Sequence, residues 1–145
     1  MITLRAFEAA DLDRLTPRAA DEAAFTEAGR ERLKRYVEAG IAFTFERDGR
    51  VLMVTGFLQQ WPGVAEIWSV CTKIEKGRRS FVQAARALVD RQYRALELHR
   101  LQASTRSDDE ASVRWLESMG FRPEGLMRRY GPDARDYLLM ARCDQ

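Results

Sequence analysis

Ile41-Ala42-Phe43-Thr44-Phe45-Glu46-Arg47-Asp48-Gly49-Arg50-Val51-Leu52-Met53-Val54-Thr55-Gly56-Phe57-Leu58-Gln59 carries the change of rhythm that decides the fold. Ile41, Phe43 and Phe45 alternate with smaller or polar residues, the period of two that a half-buried strand requires. Asp48-Gly49 then interrupts the pattern with the residue pair best suited to a two-residue hairpin turn. The return run from Val51 to Gln59 is continuously apolar at first, and Gly56 marks a bulge or a point of close approach. Trp61-Pro62-Gly63 reads as a second turn, and Ala65 to Thr72 as the third strand of an antiparallel meander.

Upstream the rhythm is helical. Thr26 is placed to cap a helix running to Ala39, with Leu33, Tyr36 and Val37 on one face and Gly40 as its terminator. Residues 2–7 alternate as a first strand, and Ala9 to Leu15 predicts a short helix that Pro17 ends. Downstream, a basic loop from Lys73 to Arg79 leads into a helix whose Phe81, Ala84, Ala85, Leu88, Val89 and Gln92 share one face. Leu101 to Ser104 predicts a strand, and 109–119 a helix with Trp115, Leu116 and Met119 on its apolar side and Gly120 closing it. Strand-like segments at 126–130 and 137–141 flank the turn Gly131-Pro132-Asp133. The expected order is β-α-α-β-β-β-α-β-α-β-β in a single domain, 1–145. That is an α/β (α+β) fold with a mixed, mostly antiparallel sheet of six to seven strands and about four helices.

Composition narrows the function classes. Lys plus Arg number 24 and Asp plus Glu 22, a net charge of +2, which argues against a nucleic-acid partner. Apolar runs of about five to seven residues fall far short of the ~20 that a membrane helix needs. No basic segment followed by an apolar run opens the sequence, so no secretory leader and a cytoplasmic location are expected. Cys71, Cys143 and the single His99 have no metal-ligand spacing, and no metal site is expected. Gly-x-Ser-x-Gly is absent from the sequence, which sets serine-hydrolase chemistry aside.

The run Asp109-Glu110-Ala111-Ser112-Val113-Arg114-Trp115-Leu116-Glu117-Ser118-Met119-Gly120-Phe121-Arg122-Pro123-Glu124-Gly125 resembles the closing motif of GNAT N-acetyltransferases. It is most similar to the ribosomal-protein alanine acetyltransferase branch, with Asn-x-x-Ser, an amphipathic turn and Gly-Phe-x-x-Glu-Gly. Arg128, Gly131, Asp136, Met140 and Arg142 follow the ending of that branch, and Ala65-Glu66-Ile67 resembles the start of its fourth strand. The resemblance implies a GNAT fold and acetyl-CoA as co-substrate, with direct transfer to a primary amine at a protein N-terminus or on a small molecule. Amides near Val70, Cys71 and Thr72 would pair with the pantetheine arm. Lys76, Gly77, Arg78, Arg79, Ser80 and Phe81 would receive the diphosphate at a helix N-terminus. Glu66 would be the general base, Ser112 would meet the sulfur, and Tyr130 would reach the site from the closing hairpin. Asp109 stands where the motif has asparagine, a position where it is also an excellent helix cap. A homodimer is consistent with similar domains.

Two departures bear on activity. Arg79 and Phe81 occupy the second and third glycine positions of the family's phosphate loop, and a phenylalanine ring in the phosphate volume would exclude the ligand. Leu116 falls where many such enzymes carry a tyrosine acid. The alternative is therefore a GNAT-like domain without catalysis, working as a binding or structural module such as a phage or assembly component.

Overall fold

The computed structural model describes residues 1–143. Its strands are β1 (Ile2–Ala6), β2 (Ile41–Arg47), β3 (Arg50–Trp61), β4 (Val64–Cys71), β5 (Arg100–Arg106), β6 (Arg122–Met127) and β7 (Tyr137–Cys143). Its α-helices are α1 (Glu27–Ala39), α2 (Arg78–Ala95) and α3 (Glu110–Ser118). Two 3-10 helices, Ala9–Arg14 and Ala19–Phe25, lie between β1 and α1. The seven strands form one mixed sheet in the order β1-β2-β3-β4-β5-β7-β6, parallel between β4 and β5. Contacts divide the chain into two compact units, Met1–Leu58 with Trp68–Gln92, and Gln59–Ile67 with Tyr93–Gln145.

In the first unit, Asp48 and Gly49 take φ of 52° and 75°, the left-handed pair that matches a tight hairpin to strand twist. β1 and β3 flank β2 antiparallel, aligning Leu4 with Phe45 and Phe45 with Met53. The β2–β3 register shift lies between Phe45 and Glu46, and in that ladder Gly56 pairs in register with Ala42. It is a close approach: a Cβ there would stand 2.5 Å from the Trp68 ring. Gly40 likewise departs from the expected left-handed terminator. It is extended at φ −141°, and a Cβ would come within 2.2 Å of the Phe57 carbonyl oxygen. Thr26 caps α1 as its sequence position predicts, accepting from the Gly29 amide at 3.1 Å. Leu15, Leu33, Val51, Val54 and Val70 form a buried cluster against which Phe7, Leu12, Ala24, Phe25 and Trp68 pack.

The buried polar residues of this unit include Asp11, Thr44, Thr55 and Thr72. Asp11 is 1% exposed and accepts from both Arg5 guanidinium nitrogens at 2.7 and 2.9 Å, from the Thr44 hydroxyl at 2.7 Å and from the Glu8 amide at 2.8 Å. Glu46 closes the network against Arg5 at 3.0 Å and Arg14 at 2.8 Å. Burial alone would raise the Asp11 pKa; the donors overcome it and bring the carboxyl down to about 2.

The second unit carries the parallel ladder from Val64↔Arg100 to Glu66↔Gln102, and β7 pairs β5 along its whole length. α3 ends in a Schellman turn. The Phe121 amide donates to Leu116 and the Gly120 amide to Glu117, with Gly120 at φ 94°. β6 begins four residues before the segment expected at 126–130 and takes in Pro123 and Gly125, whose poor strand propensity argues for the later start. They are tolerated here since β6 is the outermost strand and its register shifts between those two residues. Phe121, Leu101 and Met140 are fully buried, and the Arg142 guanidinium stands 4.4 Å over the Tyr93 ring.

The depressed Asp11 carboxyl gives a signed expectation. A group ionised more easily when folded stabilises the fold above its unfolded value, and that gain drains away as pH falls from about 4 toward 2. Asp11→Asn should lower unfolding free energy at pH 7 by ~2–4 kcal/mol. It should also flatten the acid limb of urea-denaturation stability measured between pH 5 and 2.

Candidate functional site

Strand polarity places the first group of candidate residues. Peptide groups of successive residues point to opposite edges of a strand, and those of alternate residues to the same edge. The Thr72 amide donates to the Leu52 carbonyl on β3 at 2.9 Å, so it is not free, contrary to expectation. Val70, two residues earlier, has the same parity, and its side chain lies 2% exposed in the core. The edge opposite β3 therefore belongs to Cys71. There the Cys71 amide donates to an Asp21 carboxylate oxygen at 3.0 Å, and the Cys71 carbonyl accepts from the Arg18 amide at 3.1 Å. Burial, then the nearby Asp21 charge, pushes the Cys71 thiol up to about 12, so it is no nucleophile at neutral pH.

The basic loop is shaped by Gly77 and Arg47. Gly77 has φ 63°, a left-handed conformation that favours glycine, and a Cβ would fall 2.3 Å from the Arg47 guanidinium, which would have to shift. Arg47 donates to the Lys76 carbonyl at 2.7 Å, the Gly77 carbonyl at 2.9 Å and the Ser80 hydroxyl at 2.8 Å. The Phe81 amide closes the first turn of α2 on the Gly77 carbonyl at 3.2 Å. The first-turn amides of Arg78, Arg79 and Ser80 have no intrahelical carbonyl to take, and the side chains of Lys76, Arg78, Arg79 and Ser80 are exposed. An anion there meets amide hydrogens, the positive end of the helix dipole and basic side chains. Phe81 does not obstruct it. Its ring is 4% exposed and lies edge-on to Phe45 at 5.9 Å, inside the core.

In the second unit, Glu66 lies half-buried on β4 in register with Gln102. Asp109 caps α3: its carboxylate takes the Ser112 hydroxyl at 2.6 Å and the Ser112 amide at 3.3 Å. The structure thus joins these two residues, with the Ser112 proton committed to Asp109. Tyr130 falls outside β6, in the turn after it, and its 46% exposed ring lies 5.4 Å from that of Tyr137. Leu116 faces the core.

The acetyltransferase (GNAT) domain model matches residues 1–122. The chain belongs to the GNAT acetyltransferase family.

A curated relative, the probable N-acetyltransferase YjcK of Bacillus subtilis, is 28% identical over 102 residues. That match covers 68% of this chain and 56% of the relative, so the chain spans about half of the relative's length. Among solved structures, a GNAT family acetyltransferase from Elizabethkingia anophelis with acetyl-CoA bound is similar at TM-score 0.75 and 13% identity, over 99% of this chain and 98% of that one. A Bacillus subtilis acetyltransferase in complex with CoA gives 0.74 and 15%, over 99% and 98%. A ribosomal-protein-alanine N-acetyltransferase from Brucella melitensis gives 0.71 and 19%, over 98% and 99%. These likenesses show a shared fold. As a GNAT chain this one keeps the first loop glycine and replaces the next two, one replacement serving the core and the other lying on the surface.

Three residues that matter locally escaped sequence reasoning. Arg47 precedes the hairpin turn, and no pattern links it to a loop 30 residues away. Arg18 and Asp21 lie in a segment without apolar periodicity, where only the acidic side chain hints at a capping role. The loop geometry separates two substitutions. Phe81→Ala should cost ~3–5 kcal/mol in urea denaturation, and Arg79→Gly only ~1 kcal/mol for helix propensity. Equal costs would contradict the inward orientation of Phe81.

Proposed function

We propose that this GNAT chain is an acetyl-CoA-dependent N-acetyltransferase that passes the acetyl group directly to a primary amine, at a protein N-terminus or on a small molecule. The observation that carries the reading is the turn at Gly77. With Phe81 drawn into the core, the start of α2 presents amides and basic side chains to an anion without an aromatic ring among them. That fits a diphosphate of the co-substrate over Lys76 to Ser80, and the neighbours of the same fold include one with acetyl-CoA bound and one in complex with CoA. The pantetheine arm would pair with β4 at Cys71, the residue whose peptide group faces away from β3.

Transfer needs a neutral amine, a polarised thioester carbonyl and a departing thiolate. Glu66 takes the proton from the incoming ammonium, directly or through a water. The amine then attacks the carbonyl carbon, β4 amides stabilise the developing oxyanion, and the carbon–sulfur bond breaks as the amide forms. The family resemblance assigns Tyr130 or Ser112 to return a proton to the thiolate, and the Ser112 hydroxyl donates to Asp109.

One observation favours a second reading, a domain that binds or builds without catalysing. The Cys71 peptide group is already satisfied by the chain itself, through Asp21 and Arg18. Thermal denaturation with acetyl-CoA separates the two. Co-substrate at 100 times its dissociation constant stabilises by ~2.7 kcal/mol, a shift of several degrees in Tm for a domain of this size. No shift at millimolar acetyl-CoA would favour the non-catalytic module. Given binding, Glu66→Gln should lower kcat by at least ~100-fold with little change in acetyl-CoA affinity; unaltered turnover would remove Glu66 from the role of base.

A further inference from the structure

The segment Thr16 to Asp21 runs along the far edge of β4; it follows the 3-10 helix Ala9–Arg14 and ends in the first turn of the 3-10 helix Ala19–Phe25. Its attachments to the end of β4 and to Thr72 include the following. Asp21 accepts the Cys71 amide at 3.0 Å, and the Arg18 amide donates to the Cys71 carbonyl at 3.1 Å. Pro17 bridges antiparallel to Thr72, and the Thr72 hydroxyl donates to the Thr16 carbonyl at 2.8 Å. The segment therefore behaves as a short added strand, satisfying the N–H and C=O that a strand edge otherwise offers to any extended amide chain.

Its construction makes it removable. 3-10 turns have poorer hydrogen-bond geometry than α-helix, and Pro17 has no N–H with which to extend a ladder. The side chains of Arg18 and of Ala19 to Phe25 are half-buried or exposed, none fully buried, whereas Val70 on β4 lies deep in the core. The strongest tie is the charge-assisted bond from the Cys71 amide to the Asp21 carboxylate.

We infer that Thr16–Asp21 is an intramolecular strap that holds the place of the pantetheine amides on Cys71 and is displaced when acetyl-CoA binds. This rests on the acyltransferase reading above. The pantetheine arm is an extended diamide, so it offers an acceptor and a donor with the same spacing logic as the Asp21 carboxylate and Arg18 amide it replaces. No covalent step is involved. The strap taxes affinity by the fraction of molecules in which it is closed, and weakening its main tie lowers that tax.

The experiment is calorimetric titration of acetyl-CoA into the full chain and into Asp21→Ala, with Asp21→Asn as a milder variant that retains a neutral acceptor. Asp21→Ala should bind about tenfold more tightly, with Asp21→Asn between it and the wild type. A second measurement needs no variant: limited trypsin digestion reads cleavage after Arg18, which should become faster with saturating acetyl-CoA as the strap lifts. Unchanged or weaker binding by Asp21→Ala, or protection of Arg18 by acetyl-CoA, would overturn the strap and leave the acyltransferase reading standing. Absence of acetyl-CoA binding in the wild type and in both variants would overturn the acyltransferase reading and the strap with it.

Discussion

Backbone polarity along β4 fixes which peptide groups must find partners at each edge of that strand. Once the Thr72 amide is committed to Leu52 on β3, the peptide group of Cys71 must face the other edge and must find partners there. A half-buried N–H and C=O left unpaired would each cost on the order of 1–3 kcal/mol. The chain meets this requirement with its own residues, a carboxylate from Asp21 and an amide from Arg18. The peptide group of Cys71 is thus already satisfied inside the fold.

The loop that follows β4 shows how a departure from a family pattern can be absorbed. Losing a glycine need not close a phosphate loop when the replacing side chain has somewhere else to go. Phe81 meets Phe45 in the core and contributes to burial there, while Gly77 alone keeps the left-handed turn that the entry to α2 needs. Arg47 fills the space beside that glycine and ties the loop carbonyls to the end of β2. The helix start is held by an ion from another strand, and its first amides stay directed outward. Elsewhere in the first unit, the Asp11 carboxylate does comparable work by collecting Arg5, Thr44 and the Glu8 amide around one buried charge.

What could be read from residues alone follows the range of the interaction. The Asp48-Gly49 hairpin, the Thr26 cap, the apolar face of α2 and the Gly120 terminator are all decided within a few residues, and each was legible. The family was legible too, from the motif around α3 and the order of elements. β6 was misplaced because Pro123 and Gly125 argue against a strand wherever both edges must pair, and only its place at the sheet edge makes them acceptable. Tyr130 was read as strand and sits in a turn. The direction of the Thr72 amide and the identity of its neighbour on the other edge depend on pairings about 20 and 50 residues away, which no local pattern encodes. The same holds for Arg47 and the loop it braces.

The most direct test of this account is a crystal structure of the chain with CoA. The account requires residues 16–21 to have moved off Cys71, a pantetheine amide to stand in their place, and the diphosphate to rest on the first turn of α2. CoA bound elsewhere with Asp21 still holding the Cys71 amide would contradict it.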